Sequence, residues 1–289
     1  MPVLVTGAGG FLGSLLCRRL LALDARVHCL VRSDRAYPRL EGLPVQRVPL
    51  DDPFANRPAV AFHLAGSLNR SRTAEAALEC WRENLQFTAR LLESASGRCA
   101  TVVCAGTGDE YGDGPVPFCE DQALAPLTPY AASKAAAGLW SLAAGPCLGL
   151  NVVWARLFLQ YGPGQRSDFF LAQLLASSAE QVPLDMTPGA QTRDFTWAED
   201  SVESLVRLGA SPVAAGRAFN VCTGVETRLR DAVELAQEVA GRRIPVNLGA
   251  LPYREGEIFR LFGRPDRLRE TVGYAPSTTL REGLERLIR

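Results

Sequence analysis

Lysine is almost absent from this chain of 289 residues: the 31 basic side chains are arginines, with Lys134 as the one exception. Arginine therefore supplies the surface cations, and the single lysine needs a chemical explanation. The 31 acidic side chains balance the basic ones to a formal net charge of zero. This balance excludes a general attraction to nucleic acid or to an acidic membrane. Long apolar runs are missing too, so we expect no membrane span.

Histidine and paired cysteines are scarce as well. His28 and His63 are the two histidines, and both lie in apolar stretches that predict strands. We interpret them as packed side chains and expect no metal site. The 8 cysteines include no Cys-x-x-Cys pair, which indicates buried, reduced thiols in a cytoplasmic protein and not a disulfide framework. With 47% hydrophobic residues, the chain can form one large core or two fused cores.

The N-terminal segment predicts a nucleotide-binding turn. An apolar strand leads into three glycines with the spacing G-x-x-G-x-x-G: Gly7, Gly10 and Gly13. The first permits a tight bend, the second lets the backbone approach a pyrophosphate, and the third lets the next helix pack closely. The first N–H groups of that helix, at Phe11 and Leu12, would face the bound anion. We therefore predict a dinucleotide cofactor, with a purely structural turn as the alternative.

An acidic residue is missing where the ribose of NAD would be held. The second predicted strand, Val27–Val31, ends without Asp or Glu, and Arg32 and Ser33 follow. A carboxylate at this place accepts a hydrogen bond from the 2′-hydroxyl, whereas a guanidinium suits a 2′-phosphate. Arg32 and Ser33, with Arg35, therefore favour NADP over NAD. The alternative is that these arginines form a solvated loop and that Asp34 binds the ribose.

Two further predicted strands extend the cofactor site. A strand over Val45–Leu50 would place Leu50 and Asp51 beside the adenine. Another, over Val60–Leu64, ends in small residues that let a cofactor lie against the backbone. The residues assigned to this wall are Leu64, Ala65 and Gly66.

Tyr130 and Lys134 form the predicted catalytic pair. They are four residues apart on an alanine-rich predicted helix, so their side chains share a face. A phenol has a pKa of about 10, and a nearby ammonium lowers it by stabilising the phenolate. A compact lysine can do this and also bind a ribose, which explains one lysine in an arginine-rich chain. Thr107, at the end of the preceding predicted strand, makes an ordinary helix pair the weaker alternative.

The order of these motifs resembles the extended short-chain dehydrogenase/reductase family, the NAD-dependent epimerase/dehydratases. The resemblance covers essentially the whole chain, and its later motifs are Arg156-Leu157-Phe158, Tyr161-Gly162-Pro163-Gly164 and Arg193-Asp194-Phe195. It implies an α/β fold with a Rossmann-type doubly wound parallel sheet and a smaller C-terminal substrate lobe. It also implies that Thr107 hydrogen-bonds the reacting oxygen, Tyr130 is the acid/base, and Lys134 lowers the pKa of Tyr130 and holds the nicotinamide ribose.

The resemblance further implies a domain division and a substrate class. We expect a Rossmann domain over residues 1–164, with later elements near 193–223 returning to it, and a mainly substrate-binding lobe over 165–289. Arg193 and Arg254 match positions where nucleotide-sugar enzymes of the family grip the diphosphate, and guanidinium groups suit phosphate. For Arg193 the alternative is an ion pair with its acidic neighbours. A homodimer formed through two helices of each subunit is also implied.

Three departures from the family pattern bear on the reaction. The 4,6-dehydratases that the chain resembles carry Asp-Glu directly after the catalytic Thr, where this chain has Gly108-Asp109. The missing carboxylate disfavours a dehydratase, while Asp109 can still act as acid or base at a sugar carbon. Leu159 takes the place of a common Asn near the substrate. Pro49 replaces the usual Asp before Leu50, on the adenosine side.

The leading hypothesis is a reductase that transfers a hydride from NADPH to the C4 keto group of a nucleotide-linked deoxyhexulose. A nucleotide-sugar epimerase that uses the same three residues is the alternative. Outside the enzyme class, a non-catalytic NADP-binding regulator remains open, although a regulator has no need of Thr107, Tyr130 and Lys134.

Overall fold

The computed structural model describes residues 1–31 and 37–288. Arg32 and Ser33, predicted to bind a 2′-phosphate, lie outside the described residues, as do Asp34 and Arg35. The strands are β1 (Pro2–Thr6), β2 (Arg26–Leu30), β3 (Gln46–Val48), β4 (Val60–His63), β5 (Thr101–Thr107), β6 (Asn151–Leu157), β7 (Leu159–Tyr161), β8 (Leu184–Met186), β9 (Thr192–Arg193), β10 (Phe195–Trp197), β11 (Arg217–Val221), β12 (Thr227–Arg228), β13 (Val246–Leu248) and β14 (Arg260–Leu261). The α-helices are α1 (Phe11–Leu21), α2 (Ala74–Cys80), α3 (Phe87–Ala95), α4 (Pro129–Ala144), α5 (Phe170–Glu180), α6 (Ala198–Ala210), α7 (Leu229–Ala240), α8 (Asp266–Val272) and α9 (Leu280–Ile288).

A parallel sheet of seven strands, in the order β11-β6-β5-β4-β1-β2-β3, organises the molecule. Its central strands are apolar throughout because helices cover both faces. One face packs on α1 and α6, and the other packs on α3 and α4. The strand order reverses between β1 and β4, and parallel α/β sheets bind their ligands at such a point, beyond the carboxyl ends of the strands. The predicted α/β fold class is confirmed.

Short sheets and helices form a second cluster beside the carboxyl edge of the large sheet. β7 pairs with β10, β8 with β13, and β9 with β12 and β14. The apolar side chains of β7, β8, β10 and β13 pack with α5, α7 and α9 around Tyr161, Leu174 and Trp197. β11 returns from this part of the chain to pair with β6 in the large sheet.

Some elements differ from their predicted bounds. The helical stretch from α2 to α3 is interrupted by a π-helical turn, Trp81–Gln86. The third strand is shorter than predicted, so Leu50 and Asp51 lie beyond its end, and Leu50 is 56% exposed. All eight cysteines are free thiols, six of them buried. None of the described helices combines the length and apolarity that a bilayer crossing needs, and no acidic, histidine or cysteine cluster within residues 1–31 and 37–288 is suited to a metal.

Candidate active site

The glycine turn packs so tightly that side chains are excluded from it. Gly7 has φ of +69°, and a Cβ there would lie 2.7 Å from the backbone nitrogen of Ala65. A Cβ on Gly13 would lie 2.1 Å from the Gly7 carbonyl oxygen. Gly10 N donates to that same oxygen at 2.9 Å, and Gly10 immediately precedes α1. The turn therefore presents the first N–H groups of α1, at Phe11 and Leu12, beyond the end of β1, as a pyrophosphate site requires.

The second wall of the predicted cofactor site follows β4. Thr6 links the two strands: its Oγ1 lies 2.7 Å from His63 Nδ1 and accepts a hydrogen bond from Ala65 N at 3.1 Å. His63 Nε2 lies 2.9 Å from Thr88 Oγ1, and burial lowers the pKa of His63 to about 3. His63 is therefore a neutral packed side chain, as the sequence indicates. Its role is to hold the strand end from which Leu64, Ala65 and Gly66 emerge.

Gly66 brings this wall against the predicted catalytic lysine. A Cβ on Gly66 would lie 2.5 Å from Asn84 Oδ1 and 3.3 Å from Lys134 Nζ. Asn84 lies in the π-helical turn and is buried, accepting from Ser67 N at 2.9 Å and donating to Ser133 Oγ at 2.9 Å. Asn84 thus ties the segment after β4 to α4. Asn84 is therefore a structural hydrogen-bonding residue.

Thr107, Tyr130 and Lys134 meet beside the carboxyl end of β5. Thr107 is the last residue of β5, and its hydroxyl accepts a hydrogen bond from Asp109 N at 3.3 Å. Tyr130 is in the first turn of α4, which Thr128 caps by accepting from Ala131 N at 3.2 Å. Lys134 Nζ donates to the carbonyl of Ala105, two residues before Thr107, at 2.9 Å. Tyr130 and Lys134 are both buried, with 4% and 8% of their surfaces exposed.

Burial decides the protonation of this group. Burial, with a smaller contribution from the charge of Asp109, raises the pKa of Tyr130 to about 12, while Arg70 and the hydroxyl of Thr107 act in the opposite direction. Burial also lowers the pKa of Lys134, against the negative charge of Glu110. Tyr130 is therefore a protonated phenol at neutral pH, which is the form a proton donor needs. The strongest group that lowers its pKa is Arg70, whereas the sequence pointed to Lys134; the role of Lys134 stays a prediction.

A buried carboxylate behind Thr107 is the main feature that the sequence did not reveal. Glu110 is fully buried, and its Oε1 accepts from Thr107 N at 2.8 Å and from Trp154 Nε1 at 3.0 Å. Its Oε2 accepts from Arg156 Nε at 2.8 Å. Burial raises the pKa of Glu110, and Arg156 opposes that effect. Glu110, held by its ion pair with Arg156 on β6, therefore fixes the backbone N–H of Thr107 at the end of β5.

The predicted substrate residues lie on the C-terminal side. Arg193 pairs with Glu257 and donates to the carbonyls of Thr192 at 2.7 Å and Ile258 at 2.9 Å. Its ion-pair partner is thus a distant residue and not a neighbour in sequence. Arg254 is exposed and lies in the same loop as Glu257, whose N–H bonds to the Arg254 carbonyl at 3.1 Å. The structure therefore brings the loop of Arg254 beside Arg193.

Asp109 and Leu159 are engaged in contacts of different kinds. Asp109 Oδ2 lies 3.1 Å from Arg70 Nη2 in an ion pair. Leu159 is half-buried and packs in the apolar cluster that includes Tyr161 and Phe195, so its side chain offers no polar contact. These contacts do not show whether Asp109 acts as an acid or base at a sugar carbon, or whether Leu159 lies near the substrate.

Comparison with known proteins identifies the relatives of this chain. The sequence model described as the NAD dependent epimerase/dehydratase family matches residues 3–222. GDP-6-deoxy-D-mannose reductase from Pseudomonas aeruginosa is 30% identical, over 98% of this chain and 95% of that one. UDP-glucose 4-epimerase from Mycolicibacterium smegmatis is 31% identical, over 100% of this chain and 97% of that one. The structure of RMD from Pseudomonas aeruginosa with NADPH superposes with a TM-score of 0.83 at 27% identity, covering 99% of this chain and 97% of that one.

Proposed function

The chain belongs to the NAD dependent epimerase/dehydratase family, and we propose that it is an NADPH-dependent reductase of the C4 keto group of a nucleotide-linked deoxy sugar. That it is an NAD(P)-dependent enzyme that modifies nucleotide sugars follows from its relatives, which are reductases, epimerases and dehydratases. Because these relatives are enzymes, we reject the alternative of a non-catalytic NADP-binding regulator. The finer choices concern the reaction, the cofactor and the assembly.

The observation that carries the proposal is the protonated phenol of Tyr130 beside Thr107. A keto group reduced at this site gains a proton on oxygen, and burial keeps that proton on Tyr130 at neutral pH by raising its pKa to about 12. In this proposal the Thr107 hydroxyl polarises the same oxygen, and Lys134, one turn along α4 and hydrogen-bonded to the Ala105 carbonyl, binds the nicotinamide ribose. The close-packed glycine turn fits a dinucleotide, whose reduced nicotinamide supplies the hydride when bound.

Dehydration is disfavoured by the packing after Thr107. A Cβ on Gly108 would lie 3.0 Å from Cδ1 of the Phe158 ring. A side chain in that position would be admitted only if this ring shifted by a few tenths of an ångström. The acid that expels water in the dehydratases it resembles is therefore missing from the sequence, and the packing leaves little room for it.

The reaction is tested by incubating the protein with NADPH and 4-keto-6-deoxy sugar nucleotides. Loss of absorbance at 340 nm in proportion to product supports reduction. Interconversion of C4 epimers of a sugar nucleotide that carries a C4 hydroxyl, in the presence of NAD⁺ or NADP⁺ and without net change in absorbance at 340 nm, supports the second candidate, an epimerase, which the 31% identity to UDP-glucose 4-epimerase favours. Tyr130→Phe removes the proton donor and is expected to abolish either activity while NADPH still binds.

NADP is the proposed cofactor because no carboxylate ends β2 and Arg32 and Ser33 follow. We expect NADPH to bind at least about tenfold more tightly than NADH, since a charge-assisted phosphate contact contributes about 1.5–3 kcal/mol. Calorimetric titration of both cofactors measures this difference, and Arg32→Ala is expected to remove it. Arg98→Ala is the matched control, because Arg98 pairs with the exposed Asp52. Equal affinities in the wild-type protein would assign NAD instead.

Arg193 and Arg254 remain the proposed diphosphate contacts. Arg254 is exposed and has no ion-pair partner among the described residues, so its guanidinium group is available to a phosphate. Arg254→Ala is therefore expected to raise the KM for the sugar nucleotide about tenfold with little change in kcat. Arg193 must exchange Glu257 for phosphate, so Glu257→Gln is expected to lower that KM. An unchanged KM in both variants contradicts the assignment.

A homodimer is proposed from an apolar surface on two adjacent helical segments. Leu78 and Trp81 are 54% and 48% exposed, and Leu139 and Trp140 on the neighbouring α4 are 62% and 40% exposed. Such a patch is typical of a surface that a partner covers. Leu139→Glu is expected to give monomers in analytical ultracentrifugation, whereas Leu248→Glu, at a 53% exposed site on β13, is not.

A further inference from the structure

Arg70 lies against the proposed proton donor, although no motif marks it in the sequence. Its guanidinium carbon is 5.4 Å from the centre of the Tyr130 ring, and its Nη2 is 3.1 Å from Asp109 Oδ2. The Arg70 side chain is 45% exposed and that of Asp109 is 19% exposed. The arginine therefore bridges the tyrosine and the carboxylate at an open wall of the site.

The segment that carries Arg70 is held from two sides. Ser67 Oγ and Asn69 Nδ2 donate to the carboxylate of Glu79 on α2, at 2.6 and 2.9 Å. Two residues beyond Arg70, Arg72 Nη2 donates to the carbonyl of Leu127, just before α4, at 3.2 Å. The segment around Arg70 is thus tied to α2 and to the residues just before α4, the helix that carries Tyr130.

Opposite charges face the phenol from different elements. Asp109 and Glu110, directly after β5, raise the pKa of Tyr130, and Arg70 lowers it. Lys134 lies one turn along α4 and is hydrogen-bonded to β5. Arg70 itself faces Asp109, Tyr130 and Glu257. The pair of Arg70 and Asp109 therefore places one positive and one negative charge beside the same hydroxyl-bearing ring.

We propose that Arg70 is a positioning residue for proton transfer: it holds the Tyr130 ring and offsets the charge of Asp109, so that the pair sets how readily Tyr130 releases its proton. Asp109 then acts as the partner of Arg70, not as an acid or base on the sugar. The inference rests on the proposed function only in taking Tyr130 as the proton donor.

The proton equilibrium of Tyr130 is measurable without turnover. In protein saturated with NADP⁺ and labelled with ¹³C at the tyrosine Cζ, the signal lost in Tyr130→Phe identifies this residue. Between pH 7 and 10.5, the ionised fraction of Tyr130 is expected to be about tenfold or more higher in Asp109→Asn than in Arg70→Gln, because the two changes remove opposite charges. The double variant and the wild-type protein are expected to lie between them. Arg281→Gln, which breaks an exposed ion pair with Glu238, is the matched control and is expected to equal the wild type.

Two results would overturn the proposal. One is an equal ionised fraction in Arg70→Gln and Asp109→Asn, and the other is the reverse order. Thermal melting of each variant shows that it is folded, and the opposite signs expected for the two changes separate an electrostatic role from a loss of structure.

Kinetics gives an independent readout. If the wild-type protein reduces the sugar nucleotide, Arg70→Gln is expected to lower kcat about tenfold at pH 7 with KM changed less than about twofold, since a weaker acid donates its proton more slowly. Arg70→Lys is expected to recover part of the loss. A raised KM with unchanged kcat would make Arg70 a substrate contact and overturn its positioning role. If no sugar nucleotide is turned over, the proposed function fails. The ionised fractions of Tyr130 in Asp109→Asn and Arg70→Gln still decide the role of Arg70 in that case.

Discussion

Gly13→Ala adds one methyl group at the tightest backbone contact of the glycine turn. A Cβ at this position would lie 2.1 Å from the Gly7 oxygen, 2.7 Å from the Gly7 carbonyl carbon and 2.9 Å from Ala8 Cα. Real Cβ atoms keep at least 3.0 Å from such neighbours, so α1 and the turn must separate by about 0.9 Å. Because all three neighbours are backbone atoms, no side-chain rotation relieves the contact.

The magnitude follows from that displacement. Overpacking of a close-packed site costs about 1–3 kcal/mol, and in a chain of this size each kcal/mol lowers Tm by roughly 2–4 °C. The first N–H groups of α1 move with the helix, away from the expected pyrophosphate. Loss of one charge-assisted hydrogen bond, worth about 1.5–3 kcal/mol, weakens NADPH binding by roughly ten- to a hundredfold.

Calorimetric titration with NADPH and thermal unfolding followed by circular dichroism measure the two effects. Gly114→Ala is the matched control, since a Cβ there meets Phe118 Cε1 at an ordinary 3.4 Å. It is expected to bind and unfold like the wild-type protein. Wild-type affinity and Tm in Gly13→Ala would refute both the packing argument and the placement of the cofactor at this turn.

Two further predictions concern buried titratable groups. Glu110→Gln leaves Arg156 without its counter-ion in the core, so urea unfolding is expected to show a loss of about 3–5 kcal/mol; Glu238→Gln, which breaks an exposed pair with Arg281, is expected to cost at most about 1 kcal/mol. Equal losses would contradict this account. Burial lowers the pKa of His63 from 6.5 in the unfolded chain to about 3 in the folded protein. As the pH falls below 6.5, the unfolded chain therefore gains a proton on His63 that the folded protein does not. The free energy of unfolding decreases as a result, until the pH reaches about 3. In His63→Asn, the free energy of unfolding is expected to fall less steeply as the pH is lowered from 6.5 towards 3. An unchanged pH dependence would show that other groups control it.

Features that depend on local spacing could be predicted from the sequence. The glycine turn needs three positions without side chains within seven residues, and the structure shows why Gly7 and Gly13 must lack them. Tyr130 and Lys134 lie together on α4 because residues four apart share a helix face.

Features that join distant parts of the chain could not be predicted. Glu110 has the local pattern of a surface loop residue, yet Trp154 and Arg156, 44 and 46 positions away, bury it. The sequence suggests an ion pair between Arg193 and a neighbouring acidic residue, but its partner is Glu257, 64 positions away. No local signal marks the π-helical turn that aims Asn84 at Ser67 and Ser133.

The sequence by itself determined the glycine turn and the phenol–lysine pair, because each follows from the spacing of residues close together in the chain, and its resemblance to a known family implied the parallel α/β architecture. Only the tertiary structure decided the electrostatics of the site. The charges that act on Tyr130 come from the segment after β4 and from the residues directly after β5, and their separation in space is set by how those elements pack. Coulomb interactions depend on that separation and on burial, neither of which is written in residue order.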